Sequence, residues 1–195
     1  MSSRKYERGF SMVELLIAAV VIGIMSGTIF IFFASTTTSF FQIQESSIVV
    51  NDKTRVLYRM AQVIRSGTTI TEASSNAFTV FAYFSPQDTT LSQVRYYYTP
   101  ASRTLKVDRI RATGTAPNYT YPPANTETKT LLDGITLTGN IFSYLDANGS
   151  SGPFTTDTYK DIKSVTLDLN SASTKTVSAS QLKTSVELRN RKTNL

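Results

Sequence analysis

The rhythm of hydrophobic and polar positions changes twice along this chain. Residues 15–34, LLIAAVVIGIMSGTIFIFFA, contain no charged side chain. As a helix rising 1.5 Å per residue, a run of that length spans roughly 30 Å, the thickness of a bilayer's hydrocarbon. Beyond Ala34 the apolar and small residues Ile43, Ser47, Val50, Thr54, Leu57, Ala61 and Ile64 recur at spacings of four and three. That period marks one face of a helix, predicted to continue to about Ser66, with Gly67 as its stop and Arg55, Arg59 and Arg65 left in solvent. After Gly67 the period becomes two. Residues 77–84, 92–99, 103–110, 134–146, 161–170 and 182–190 are short, rich in β-branched and aromatic residues, and separated by Pro, Gly, Asn and Ser clusters. The pattern predicts an α+β fold, a long N-terminal helix whose first half spans a membrane and whose second half packs on an antiparallel β-sheet.

Composition narrows the chemistry. The 195 residues include no Cys and no His, which excludes disulfides, Cys/His zinc sites, thiol nucleophiles and histidine bases. The chain is 17% charged and 41% hydrophobic, as a folded domain is. Of the net charge of +6, residues 1–9 supply +2 through Arg4, Lys5 and Arg8 against Glu7. These bases precede the apolar run directly, so the N-terminus is expected in the cytoplasm and the sheet domain outside it. The run continues into a second helical pattern and has no small-residue cleavage site at its far end, which separates it from a secretory signal.

Glu14 is the irregular feature, a carboxylate one residue before the uncharged run. An ionised Glu near a membrane costs a few kcal/mol unless it has a partner. Cleavage after Gly9 would create one: Phe10 would carry an ammonium group, with Glu14 one helical turn away. The same carboxylate could meet the ammonium of a neighbouring helix, which suits subunits staggered along an axis.

The stretch RGFSMVELLIAAVVIG (residues 8–23) resembles the prepilin signal of the type IV pilin and type II secretion pseudopilin superfamily. It has a basic leader ending in Gly, a hydrophobic first mature residue, Glu at mature position five and an apolar helix. The resemblance implies the pilin fold, cleavage after Gly9 by prepilin peptidase, N-methylation of Phe10, and a registering role for Glu14 in assembly. It implies these domains: residues 1–9 as leader, 10–34 as transmembrane half of the helix, 35–67 as its amphipathic half, and 68–195 as the β-sheet domain. The partners it implies are prepilin peptidase, other major and minor pilins or pseudopilins, the inner-membrane assembly platform, and membrane lipid before assembly. No cofactor is implied. The implied location is a single-pass protein of the cytoplasmic membrane that passes into a cell-surface or periplasmic filament. Looser motifs, VLYRMAQVIRSG, FSYLDANG and TSVELRN, look like the PulJ/GspJ and PilW minor pilins.

Other stretches carry weaker chemistry. Gly23 and Gly27 form a GxxxG that permits close helix packing. Asp146, Asn148, Asp157 and Asp161 supply oxygens of the kind calcium takes, but their spacing departs from the twelve-residue EF-hand loop, and Asn148-Gly149 also reads as a tight turn. Arg103, Lys106, Arg109 and Arg111 lie near Tyr96, Tyr97 and Tyr98, a mixture suited to nucleic acid. Asp108 and the strand alternation argue against that partner. Arg189, Arg191 and Lys192 read as a solvated tail. Ser171 and Lys175, four apart in SASTK, carry no catalytic signature beyond their residue types. The expectation is a structural subunit and not an enzyme.

Overall fold

A computed structural model describes residues 10–173 and 178–188. The chain divides into two compact units, Met1–Gln44 and Glu45–Leu195, and one helix, α1 (Met12–Arg65), contributes to both.

In the first unit α1 is apolar and solvent-facing on all sides, with Phe30, Ile31, Phe32 and Phe33 exposed in succession. By length and composition it can cross a membrane. Its threonine hydroxyls are satisfied internally. Thr28, Thr36, Thr37 and Thr38 each donate a hydroxyl to the carbonyl four residues earlier, at 2.8–3.0 Å, so none of these hydroxyls needs water.

Among the described residues the second unit holds the last turns of α1 and ten strands. These are β1 (Thr69–Ala73), β2 (Ala77–Ala82), β3 (Ser92–Thr99), β4 (Thr104–Arg111), β5 (Thr113–Thr115), β6 (Asn118–Thr120), β7 (Thr126–Leu132), β8 (Phe142–Leu145), β9 (Ser164–Ser171) and β10 (Ser180–Glu187). They form a five-stranded sheet ordered β1-β2-β3-β4-β7, a three-stranded sheet ordered β10-β9-β8, and the two-stranded ribbon β5-β6. Every pairing is antiparallel. The expected α+β architecture is therefore present, with the strands divided between two sheets and a ribbon.

One apolar cluster joins the helix end to both sheets. Leu57, Met60, Val63 and Ile64 of α1 pack with Phe78, Val80, Val94, Tyr96, Leu105, Val107, Phe142, Val165, Leu167, Leu169 and Val186. Each such side chain contributes about 1.5–3 kcal/mol by leaving water. Phe78 stacks on Phe142 and Tyr144, both at 5.8 Å between centroids, and so bridges the two sheets.

Gly67 ends the helix by close approach. Its N–H donates to the Ile64 carbonyl at 2.9 Å, and a Cβ there would lie 2.8 Å from that same oxygen and 2.7 Å from Val80 Cγ2. Ser66 closes the same end, its hydroxyl donating to Val63 O at 2.8 Å and accepting the Tyr83 N–H at 3.1 Å.

Three details depart from the sequence pattern. The buried face of α1 runs through Lys53, Leu57, Met60, Val63 and Ile64, whereas Ser47 and Thr54 are exposed. The face keeps Leu57 and Ile64 but is turned toward Lys53 and Met60. Residues 134–146 yield a strand only at Phe142–Leu145. Before it, Gly134 and Gly139 adopt φ of 68° and 78°, and the buried Tyr98 hydroxyl donates to Ile135 O at 3.1 Å and accepts the Leu137 N–H at 3.0 Å. The backbone groups of that stretch are thus partly engaged by a side chain, and the chain makes only an isolated bridge between Leu137 and Ser171. Finally, β1 and β7 form the edges of the large sheet, and TETKTLL in β7 is exposed along most of its length, so it carries no alternating apolar signal.

Candidate processing and assembly site

The N-terminal end of α1 is built as a capping box. Ser11 precedes the first helical residue and Glu14 is the third in the helix. The Ser11 N–H donates to Glu14 Oε2 at 3.0 Å, and the Val13 N–H approaches Ser11 Oγ at 3.4 Å. Two helix-end donors that would otherwise lack partners are satisfied reciprocally, and the carboxylate sits where the helix dipole favours negative charge. The signal was in the sequence as S-x-x-E, residues 11–14, which the reading of Glu14 as a partner for an ammonium group passed over. Phe10 is exposed beside it. Gly9 and the bases Arg4, Lys5 and Arg8 lie outside the described residues.

Further along α1, a Cβ built on Gly23 or Gly27 would meet nothing within 4 Å. The two glycines, four apart, leave a shallow, unoccupied strip on the helix surface.

The second unit contains a polar centre that the sequence reading missed. Lys53 is fully buried in the middle of the helix face that packs on the sheets. The three N–H groups of its ammonium are shared among four oxygens, Ser180 O at 2.7 Å, Ser180 Oγ at 2.6 Å, Ser171 Oγ at 3.0 Å and Leu169 O at 3.2 Å. Burial pushes its pKa below the ordinary lysine value, and the negative charge of Asp168 opposes that shift. The Asp168 carboxylate accepts from Gln181 Nε2 at 2.7 Å through Oδ2, while its buried Oδ1 has no partner among the described residues. Lys53 therefore ties α1 to β9 and β10 at the Ser171–Ser180 end of their pairing. Ser171 and Lys53 are both buried, so the pair presents no nucleophile to a substrate. Lys175, paired with Ser171 in the sequence reading, lies outside the described residues, as do Arg189, Arg191 and Lys192.

The oxygen-rich loop forms turns. Asp146 Oδ1 accepts the N–H groups of Asn148 and Ser150, both at 2.8 Å, and Gly149 takes a φ of 79°, so this carboxylate organises its own loop. Asp161 belongs to a single 3-10 turn, Tyr159–Asp161, and Asp157 is exposed. Among the described residues no three acidic side chains converge on a point that could hold a metal ion.

The basic run of β4 is dispersed in the same way. Tyr96 and Tyr98 are buried, which removes two of the three rings from any stacking surface. Tyr97, on the opposite face, lies under the Arg95 guanidinium at 5.0 Å and donates toward Asp108 at 3.4 Å. Arg109 pairs with Asp88 at 2.7 Å and Arg111 with Glu127 at 3.2 Å. Lys106 is half-buried. Arg103 adopts a positive φ of 52° in the turn before β4.

Residues 4–30 match the family model described as the prokaryotic N-terminal methylation motif. No curated protein matches the chain. The match covers the region that holds Phe10, the Ser11–Glu14 cap and the start of the apolar helix, and it implies processing by prepilin peptidase and assembly with other pilins. The chain thus carries the N-terminal signal of type IV pilin-like and pseudopilin precursors, with a hydrophobic helix suited to membrane anchoring.

Proposed function

We propose that this chain is a minor pilin or pseudopilin, a structural subunit that helps initiate or cap a type IV pilus or a type II secretion pseudopilus. The observation that carries the reading is the methylation motif at residues 4–30 joined to an apolar helix that leads into a separately packed α+β unit. Prepilin peptidase cleaves after Gly9, and Phe10 becomes the methylated N-terminus. Residues 10–34 anchor the subunit in the cytoplasmic membrane, and the domain of residues 68–195, with the helix segment 35–67, faces outward to meet other subunits.

Glu14 acts in registration. Within its own chain the carboxylate accepts the Ser11 N–H, which tempers its desolvation while the subunit is in lipid. An unpaired carboxylate in an apolar filament core would be costly, so a neighbouring subunit is held at the height where its Phe10 ammonium meets Glu14. The strip at Gly23 and Gly27 allows close approach of helices in the assembled core.

The test is the N-terminal sequence and intact mass of the protein isolated from its own cell membranes. A chain that begins at Phe10 and is heavier by one methyl group is expected. An unprocessed chain beginning at Met1 or Ser2 would overturn the reading and leave a signal-anchored surface domain.

A further inference from the structure

The flank of α1 beside the large sheet borders a groove of about 620 Å³, adjoined by a cleft of about 160 Å³ whose floor includes the core residues Met60, Tyr96 and Val107. Arg55, Arg59 and Phe84 line both. Tyr58 and Tyr83 wall the larger groove, and Lys129 of β7 lines the smaller cleft. The ring of Phe84 carries two guanidiniums, Arg59 at 5.1 Å and Arg109 at 4.9 Å from its centroid. The two cations differ in what neutralises them. Arg109 is ion-paired to Asp88 at 2.7 Å and donates to Ser92 Oγ at 3.1 Å, so it is held in place and supports the ring. The ion pairs among the described residues are Arg95–Glu72, Arg109–Asp88 and Arg111–Glu127. None of them takes Arg55, Arg59 or Lys129. Arg55 and Arg59 thus line the aromatic-walled groove and Lys129 its adjoining cleft, with no carboxylate of the described residues within salt-bridge distance of any of the three.

We propose that this groove receives an acidic segment of a neighbouring, different filament subunit, with carboxylates bridging Arg55, Arg59 and Lys129 while apolar side chains of that segment rest on Tyr58, Tyr83 and Phe84. The inference rests on the filament-subunit reading and names the surface by which that subunit chooses a neighbour. Stacking orients the Arg59 guanidinium before binding, and a planar guanidinium suits bidentate carboxylate recognition. A second copy of this chain fits poorly, because each copy still bears a net charge of +4 once residues 1–9 are removed and like charge disfavours self-association. Nucleic acid fits poorly as well. A phosphate backbone is tracked by cations spread along its path, whereas these line one groove and its adjoining cleft.

The experiment uses the full-length chain in its own cells, with the photoreactive residue benzoyl-phenylalanine replacing Gln62, an exposed helix position that lines the larger groove. Irradiation is expected to give an adduct with another filament subunit, mapped by mass spectrometry to a peptide containing Asp or Glu. The double variant Arg55→Glu/Arg59→Glu should lower the adduct yield by about tenfold, and replacing the mapped acid of the partner with Lys should restore it. The milder pair Arg55→Gln/Arg59→Gln should fall between the two, and the unchanged thermal unfolding of each variant shows that the fold persists. Adducts confined to a second copy, to nucleic acid or to lipid would overturn the proposal, as would a yield indifferent to the charge reversals or the lack of any adduct in a chain correctly processed to Phe10. A chain that is not processed at Phe10 would instead overturn the filament reading itself.

Discussion

Glu14 and Lys53 are two charges in apolar surroundings, and each is tolerated for a different reason. Glu14 has a local answer, the N–H of Ser11 three residues earlier, and in our proposal it acquires a second in the assembled filament. Glu14→Ala removes both the cap and the charge, whereas Glu14→Gln keeps a side chain able to accept from Ser11. If registration depends on the charge, both variants should insert normally in the membrane and both should enter filaments about tenfold or more below wild type. A glutamine variant that assembles as wild type would reduce Glu14 to a helix cap, as quantitative blotting of sheared filaments against membranes can decide. Lys53 has a tertiary answer, four oxygen contacts supplied by Leu169, Ser171 and Ser180. Lys53→Ala would leave a cavity and undonated buried acceptors, an expected loss of about 3–5 kcal/mol. Lys53→Met fills most of the volume and should lose about 1–3 kcal/mol, since only the donor is missing. Urea unfolding of the two variants measures both values, and an alanine variant within about 0.5 kcal/mol of wild type would show that Lys53 does not bolt the helix to β9 and β10.

Among the elements, α1 was legible in the sequence because apolar length and helical period are local properties. Which face it buries was legible only in part. Ser47, Thr54 and Ala61 are small enough to read as core, yet Thr54 is exposed and returns its hydroxyl to Val50 O at 2.8 Å, while a lysine occupies the centre of the packed face. The period of a helix cannot announce a buried cation, because the acceptors that make it tolerable come from strands more than a hundred residues later. The strands with apolar alternation, β2, β3, β4 and β9, stand close to where the pattern predicts them. The edges β1 and β7 were missed, since an edge strand has fewer neighbours to bury its side chains and so needs no strict alternation. The stop of α1 is the element-scale test. Gly67→Ala pushes a methyl group against the Ile64 carbonyl and Val80, and because a backbone oxygen must yield, the variant should lose about 1–3 kcal/mol. A thermal midpoint equal to wild type would show that this corner relaxes freely.

For the whole molecule, the division at Gln44 and Glu45 separates surface meant for apolar surroundings from a unit that buries its own core. The residues of the apolar cluster all lie between Leu57 and Leu188, and the long series of exposed large aliphatics and phenylalanines ends at Ile48. A fragment of residues 45–195 should therefore fold without detergent and unfold in one cooperative thermal transition followed by circular dichroism; aggregation or a broad, non-cooperative melt would mean that the preceding helix is needed for stability. The sequence by itself determined the N-terminal signal, the membrane-length helix, the absence of thiol and imidazole chemistry and the α+β class. These follow from residue inventory and from periods that span a few residues. The tertiary structure alone decided the partition into two sheets and a ribbon, the burial of Lys53 among carbonyls and serines, the loss of Tyr96 and Tyr98 to the core, and the placing of Arg55, Arg59 and Lys129 along one cleft with Phe84. Each of these depends on groups far apart in the chain, which only the pairing of strands and the rotation of α1 against them bring within a few ångströms.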